Sequence, residues 1–328
     1  MKGPMKAYTG KSLIFMLMLS TALAVSGTAR DEKTGTPDSQ TPSRPAQLQA
    51  DTSSVVDNND IAKDDQSQRH FNWKNEYILS ECVNDDGRVN YELLRRKKPA
   101  LYALLYDYSD LTREEYETWS KPDQIAFWIN AYNIQTLKIL SQNYPIESSR
   151  FLRLIWGPYS IRHIDREIDG IERQKFIIMD EEFTLREIER QILRDQFNEP
   201  RACFALCRGT KGSPPLRPEP YIAEKIDHQL DDQVSRYLAS CAALQLEKHA
   251  GRVYLSVLFQ PNWWGQAFID KYGIDRKFKD HEPSVRAVLN FLTNYTAPDI
   301  TSYLQTGIYS VDYISYDWTI NDTNVNAR

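Results

Sequence analysis

Between Thr184 and Leu216 this 328-residue chain places Glu189, Arg190, Arg201, Arg208, Lys211 and Ser213. A guanidinium offers a planar fork of N–H donors that matches carboxylate and phosphate oxygens, and an ammonium adds a compact point charge. These residue types suit holding an anion, with Arg190, Arg208, Lys211 and Ser213 as contacts and Glu189 beside them. The competing possibility spends Arg208 on a structural ion pair with Glu189 or Glu187. Nucleophilic catalysis is not expected. Ser213 would need a neighbouring base to take its proton, and Arg190 stays protonated and cannot accept one. No catalytic residue is assigned. Asn130 and Asn133 are further ligand-binding candidates. They stand at i and i+3, on one helix face, and buried amides must find partners. Either they bond to neighbouring backbone and fix the packing, or they orient a ligand.

The five histidines, His70, His163, His228, His249 and His281, all fall outside that stretch. His228 and Asp231 share a helix face, but zinc wants three or four ligands and no such set assembles. Neither a metal nor a cofactor is expected. No P-loop, dinucleotide fingerprint, H-E-x-x-H or G-x-S-x-G pattern is present.

The elements that must carry these residues follow from pattern. Thr184 and Glu187 form a capping box, and Leu185, Ile188, Ile192 and Leu193 recur at helical spacing. A helix is predicted up to Asn198-Glu199-Pro200, where proline breaks it. The apolar run from Ala202 to Cys207 has the length of a strand. The basic loop Arg208 to Ser213 follows, and Pro214-Pro215 stiffens its exit. Ser120 and Asp123, with Pro122 in the first turn, start a helix running to Asn143. It is apolar nearly all round, so it is predicted to be buried. A helix from Trp73 gives way to a turn at Asn84–Gly87 and a β-like run, Arg88–Tyr91. Phe151 to Met179 carries no clean period until Lys175–Met179, which reads as a strand, as does Gly251–Phe259. Tyr221–Leu244 and Ser284–Tyr295 read as helices, and Asn262 as the cap of a helix bearing Trp263 and Trp264. The sum is a single α+β domain, helix-rich, with a small antiparallel sheet.

Several of these blocks also resemble a known family. Leu185 to Arg194 is similar to L-x-x-I-E-H-x-I-L-R, and Glu199 to Leu216 to D-P-R-I-H-F-A-L-x-C-G-x-x-S-C-P-P-L. Gln124 to Asn133 is similar to F-W-I-N-x-Y-N, Gly87 to Tyr91 to G-R-V-x-Y, and Tyr316 to Asn321 to Y-D-W-x-L-N. These motifs are those of DUF547, a domain of unknown function in exported bacterial proteins and some plant proteins. The likeness covers Trp73 to Asn321. Arg190, Cys203, Arg208 and Ser213 stand where the family usually has two histidines and two cysteines, while Glu189, Arg201, Gly209, Pro214, Pro215 and Leu216 remain. The resemblance implies a divergent member, and loosely a fold like those of papain and transglutaminase. It implies no reaction.

At the N-terminus, Lys2, Lys6 and Lys11 precede an apolar run, Leu13 to Val25, with Ala22-x-Ala24 or Gly27-x-Ala29 as cleavage sites. This pattern is that of a secretory signal peptide, too short to span about 30 Å of hydrocarbon. The expected organisation is a signal peptide over 1–29, a disordered linker over 30–70, a DUF547-like domain over 71–322 and a tail over 323–328. The protein is expected to be exported, periplasmic or secreted, with no membrane span in the mature chain. A net charge of −5 argues against a nucleic-acid partner, and the clusters Arg95–Lys98 and Arg150–Arg166 read as solvated faces. Export permits disulfides among Cys82, Cys203, Cys207 and Cys241, with three possible pairings. On one strand, Cys203 and Cys207 would lie about 13 Å apart at about 3.3 Å per residue, too far to bridge.

The expected role is non-catalytic: binding an anionic small molecule or an envelope partner through the 208–213 loop. Two alternatives stay open, a hydrolase or transferase using other groups and a structural envelope protein. A cavity lined by Arg190, Arg208 and Ser213 together favours binding. A histidine or unpaired carboxylate beside Ser213 favours catalysis, and a sealed Arg190–Glu189 cluster favours a structural role.

Overall fold

The computed structural model describes residues 71–165, 170–274 and 276–325. The signal peptide and linker expected over 1–70 lie outside the described residues, as does the end of the expected tail. Helix α1, over residues 71–82, leads to the Asn84–Gly87 turn. Gly87 takes φ +76°, and a Cβ there would come within 2.5 Å of Pro215, so only glycine fits. The β-like run after it is confined to Val89, which bridges Val83 and Asp322. Asn90 then caps α2 (Tyr91–Arg96), which runs on into α3 (Lys98–Asp110) and α4 (Arg113–Thr118).

Helix α5 (Lys121–Gln142) is the one the rest surrounds. The Ser120 hydroxyl accepts from Asp123 N at 3.4 Å, which fixes the predicted start. Nearly every residue from Ile125 to Ser141 is buried, as a helix apolar on all sides requires. α2, α3 and the helix after Thr184 all pack on it. Beyond it come α6 (Arg150–Trp156) and the hairpin β1 (Lys175–Ile178) and β2 (Glu181–Thr184), in antiparallel register. The hairpin turns on Met179 and Asp180, at φ 53° and 56°. Two left-handed residues are the geometry a two-residue hairpin needs. Here non-glycine residues are held in it by bonds from Met179 N to Tyr108 O and Asp180 N to Ser109 O, at 2.9 and 3.0 Å.

Thr184 and Glu187 complete the predicted capping box at the start of α7 (Leu185–Glu187). The helix then widens into a π-helix, Ile188–Gln196. The strand expected over Ala202–Cys207 is instead one helical turn, α8 (Ala202–Ala205), followed by extended chain. Pro200 and Arg201 open this turn, the Glu199 carboxylate accepts from Arg201 N at 3.1 Å, and Ala202 N donates to Glu199 O at 3.0 Å. A short buried apolar run does not distinguish a strand from a helical turn; here the proline starts a turn as well as ending the preceding helix.

After α8 come α9 (Ile226–Leu238), β3 (Leu244–Glu247), β4 (Arg252–Ser256), α10 (Gln266–Tyr272), α11 (Pro283–Leu292), α12 (Pro298–Gln305) and β5 (Ser310–Ile314). The helix with Trp263 and Trp264 starts after Gln260, with Pro261 at its first position, rather than at Asn262. β3 and β4 pair antiparallel, as expected, while β5 joins β4 in parallel. The final segment threads between three parts of the chain. Lys211 N and Gly212 N donate to Thr319 O and Asp317 O at 2.8 and 2.9 Å, and Asn321 N donates to Gly209 O at 3.0 Å. On its other side Ile161 N donates to Trp318 O at 3.0 Å, and Ile320 N to Tyr159 O at 2.9 Å. The molecule is thus α+β and helix-rich, with two small sheets. No helix among the described residues is long and apolar enough to cross a membrane.

Trp128 lies 2% exposed in α5, its indole N–H donating to Tyr116 Oη at 2.7 Å and its ring edge-on to Phe127 and Phe183. Trp128→Ala is expected to lower unfolding stability by about 3–5 kcal/mol, measured by denaturant titration; a loss under about 1 kcal/mol would contradict its place in the core.

Candidate functional site

The final segment, α5 and the irregular stretch after α6 enclose a cavity of about 400 Å³. Three tryptophans wall it: Trp156 at the end of α6, Trp263 before α10, and Trp318 of the final segment. Tyr132 of α5 contributes its phenol, and Arg162, Asp165, Glu172, Arg190 and Arg208 bring charge. Apolar walls with a few converging polar groups are the usual make-up of a ligand site.

Arg208 is 3% exposed, and its side chain is anchored from below. Nη2 donates to Glu189 Oε1 at 2.5 Å, and the same oxygen accepts from Trp264 Nε1 at 2.7 Å. The guanidinium lies 5.0 Å from the Trp263 ring centroid, and Glu172 Oε1 stands 3.8 Å from its Nε. Burial pulls its pKa down, but Glu189 and nearby tyrosines outweigh that and raise it well above the ordinary value. Arg208 is therefore a permanent cation. Its Nε and Nη1 make no hydrogen bond. The ion pair with Glu189 considered from sequence is formed.

Arg190 and Arg162 differ from it. Arg190 sits half-buried on the π-helix next to Glu189, lines the cavity, and makes no hydrogen bond or salt bridge among the described residues. Arg162 lies between two indoles, 5.5 Å from Trp156 and 5.0 Å from Trp318. That sandwich holds its guanidinium by cation–π attraction while leaving its N–H edge without a hydrogen-bonded or ion-paired partner among the described residues.

Glu172 carries the titration of the site. Burial pushes its pKa up to about 7 from 4.5, Glu189 pushes the same way, and Arg208 and Arg190 pull it back. The Tyr132 hydroxyl is buried without a hydrogen bond, and burial raises its pKa well above the usual phenol value.

The other candidates lie elsewhere. Asn130 pairs both ends of its amide with Tyr221, Nδ2 to O at 2.8 Å and Oδ1 from N at 2.9 Å. Asn133 does the same between Ala205 O and Cys207 N, both at 2.9 Å. Both amides are used to tie backbone to α5. Ser213 does not line the cavity; its hydroxyl donates to Thr210 O at 2.9 Å and lies 3.8 Å from Cys207 Sγ. No histidine or carboxylate is bonded to it. Lys211 lies on the same loop but is not among the cavity's lining residues. The four cysteines are free thiols. Burial raises Cys207, and N–H groups of Gly209 and Asn321 pull it back. Among the described residues no group of three or more His, Cys, Asp or Glu side chains could hold a metal.

Arg162, Glu172 and the three tryptophans escaped sequence reasoning. Arg162 and Glu172 lie in short 3-10 turns, Trp156 ends a seven-residue helix, Trp263 sits in a five-residue π-helix and Trp318 in extended chain, and such pieces are too short to show which face meets a cavity. The one available signal was the density of Arg around Trp156 between residues 150 and 166.

Residues 116–238 match the family model described as "Protein of unknown function, DUF547". The resemblance seen in the motifs therefore stands over α5, the π-helix, the Arg208 loop and α9. The G-R-V-x-Y and Y-D-W blocks lie outside the matched span, as do Asn262, Trp263 and Trp318 of the cavity wall. No curated protein and no solved structure matches the chain.

Glu189→Ala leaves the Arg208 cation buried without its partner. We expect a stability loss of about 3–5 kcal/mol by denaturant titration, and a loss below about 1 kcal/mol would mean that Arg208 reaches water. Glu172 gives a pH signature. Its pKa is about 7 folded against 4.5 ordinarily, so the folded state holds the proton more tightly and stability falls as pH rises from about 4.5 to about 7. Glu172→Gln should therefore raise the melting temperature at pH 8 and leave it nearly unchanged at pH 4; equal gains at both would show that the gain comes from something other than this titration.

Proposed function

We propose that this is an exported, non-catalytic binding protein whose cavity holds an anionic ligand with an apolar or aromatic body. The observation that carries this is the pair Arg162 and Arg190. Both guanidinium groups line one cavity and neither has a hydrogen-bonded or ion-paired partner among the described residues. Unspent charge-assisted donors between indole walls suit a carboxylate, sulfonate or phosphate on a flat or apolar frame. The site meets the loop proposed from sequence only at Arg208, whose charge is already matched by Glu189. Export is supported by the lysines and the apolar run at the N-terminus.

One observation supports a second possibility, acid–base catalysis. Glu172 has its pKa close to neutral beside Arg208 and the Tyr132 phenol, as a general acid or base requires. The described cavity lining has no Ser, Cys, Thr or His, so a nucleophile would come from Asp165, Glu172 or water. If this holds, the protein hydrolyses an aryl ester or glycoside and Glu172→Gln abolishes turnover while keeping ligand binding.

Binding is tested by calorimetry with benzenesulfonate, whose charge does not change with pH. It should bind more tightly than inorganic sulfate or benzyl alcohol. Arg190→Ala should weaken it by about 1.5–3 kcal/mol, and Ser213→Ala should leave it unchanged. Binding unaffected by Arg190→Ala and Arg162→Ala together would sink the proposal. Affinity should also rise as pH falls from 8 to 6, because Glu172 gains a proton and loses its repulsion of the anion. Glu172→Gln should flatten that profile.

A further inference from the structure

Helix α6 buries none of its seven residues. Phe151, Leu154 and Ile155 are 70%, 86% and 57% exposed. Their spacing, i, i+3 and i+4, puts them on one face of a helix of about two turns. Exposed pairs occur on α1 (Trp73 and Tyr77) and α3 (Tyr102 and Tyr106), but among the described residues α6 carries the only group of three, and it is purely of Phe, Leu and Ile. Packing gives no reason for this face.

Its surroundings suggest an occupant. Arg150 and Arg153 flank the face on the same helix, and Arg162 follows just beyond it. Arg150 has no hydrogen bond or salt bridge among the described residues, and Arg153 donates from Nε to Ser148 Oγ at 2.8 Å. Among the described residues none of the three is paired with a carboxylate, Glu147 included. A chain of net charge −5 thus presents local positive charge around its most exposed apolar cluster. Apolar side chains on one face with arginines at the edge are the pattern of a helix lying in a membrane interface. The arginines would meet anionic headgroups while Phe151, Leu154 and Ile155 enter the acyl boundary. A bilayer needs no matching groove, and neither cavity that touches α6 is lined by Phe151, Leu154 or Ile155.

We propose that α6 docks the protein on an anionic lipid surface. The proposal rests on Phe151, Leu154, Ile155, Arg150 and Arg153, none of which lines the cavity; Trp156 and Arg162 belong to both, so a docked molecule would hold its cavity beside the headgroups.

The test is co-sedimentation of the full chain with phosphatidylcholine vesicles, with and without phosphatidylglycerol. Parent and variants carry the same N-terminal apolar run, so differences between them belong to α6. Leu154→Asp with Ile155→Asp should reduce partitioning onto phosphatidylglycerol-containing vesicles by at least about tenfold. Arg150→Gln and Arg153→Gln should each reduce it by about fivefold, and high salt should reduce the parent's binding. All four side chains are exposed, and unchanged melting temperatures confirm folding. The proposal is overturned if the variants bind as the parent does, or if binding does not depend on phosphatidylglycerol. It is also overturned if the apolar pair changes the sedimentation velocity of the free protein instead, which would mark α6 as a contact between two copies.

Discussion

A cation held away from water sets the terms for the centre of this molecule. Arg208 cannot shed its charge, and a buried charge without compensation is among the costliest things a fold can contain. Glu189 supplies the compensation, Trp264 N–H bonds the same carboxylate oxygen, and the Trp263 ring lies over the guanidinium. These partners come from the π-helix and from the turn before α10. Keeping Arg208 neutralised therefore obliges both to sit against the loop. Glu172, closing the set, is held away from water and has a second carboxylate close by, and its burial first and Glu189 second are why its proton is held so strongly.

The π-helix places the charges differently from one another. Glu189 and Arg190 are successive residues of opposite sign, yet Glu189 is buried against Arg208 while Arg190 remains at the cavity wall. π-helical turns are rare and favour functional sites. The loop itself is fixed by α5. The Asn133 amide grips Cys207, and Gly209, at φ +69°, lies so near Leu140 that a side chain there would clash. The Asn133 amide of α5 thus works at one remove from the cavity, by holding the backbone that presents Arg208.

How much of this was legible depended on whether local chemistry decided the outcome. Capping boxes at Ser120 and Thr184 marked helix starts correctly, and the all-round apolar pattern of α5 marked the centre. Each signal lies within a few residues. Ala202–Cys207 was misread because a buried apolar run has no period, and Pro200 was taken only as a stop. The concentration of arginines was legible, but not which of them were spent. That depends on Glu189 and Glu172 meeting Arg208, a contact no spacing encodes. Arg162, Glu172 and the tryptophans lie in short pieces of chain, where position is set by contacts distant in sequence.

Those distant contacts bear on the order in which the molecule can assemble. One wall of the cavity, Trp318, and the segment that ties the Arg208 loop to the stretch around Ile161 come from the last dozen described residues. A chain emerging N-terminus first can form α5, cap its helices and pair Arg208 with Glu189 while its end is still being made. The cavity cannot close, nor can Arg162 be clasped between its two indoles, until that end arrives. Closure of the cavity therefore waits on residues more than a hundred positions beyond the Arg208 loop, however early that loop is neutralised.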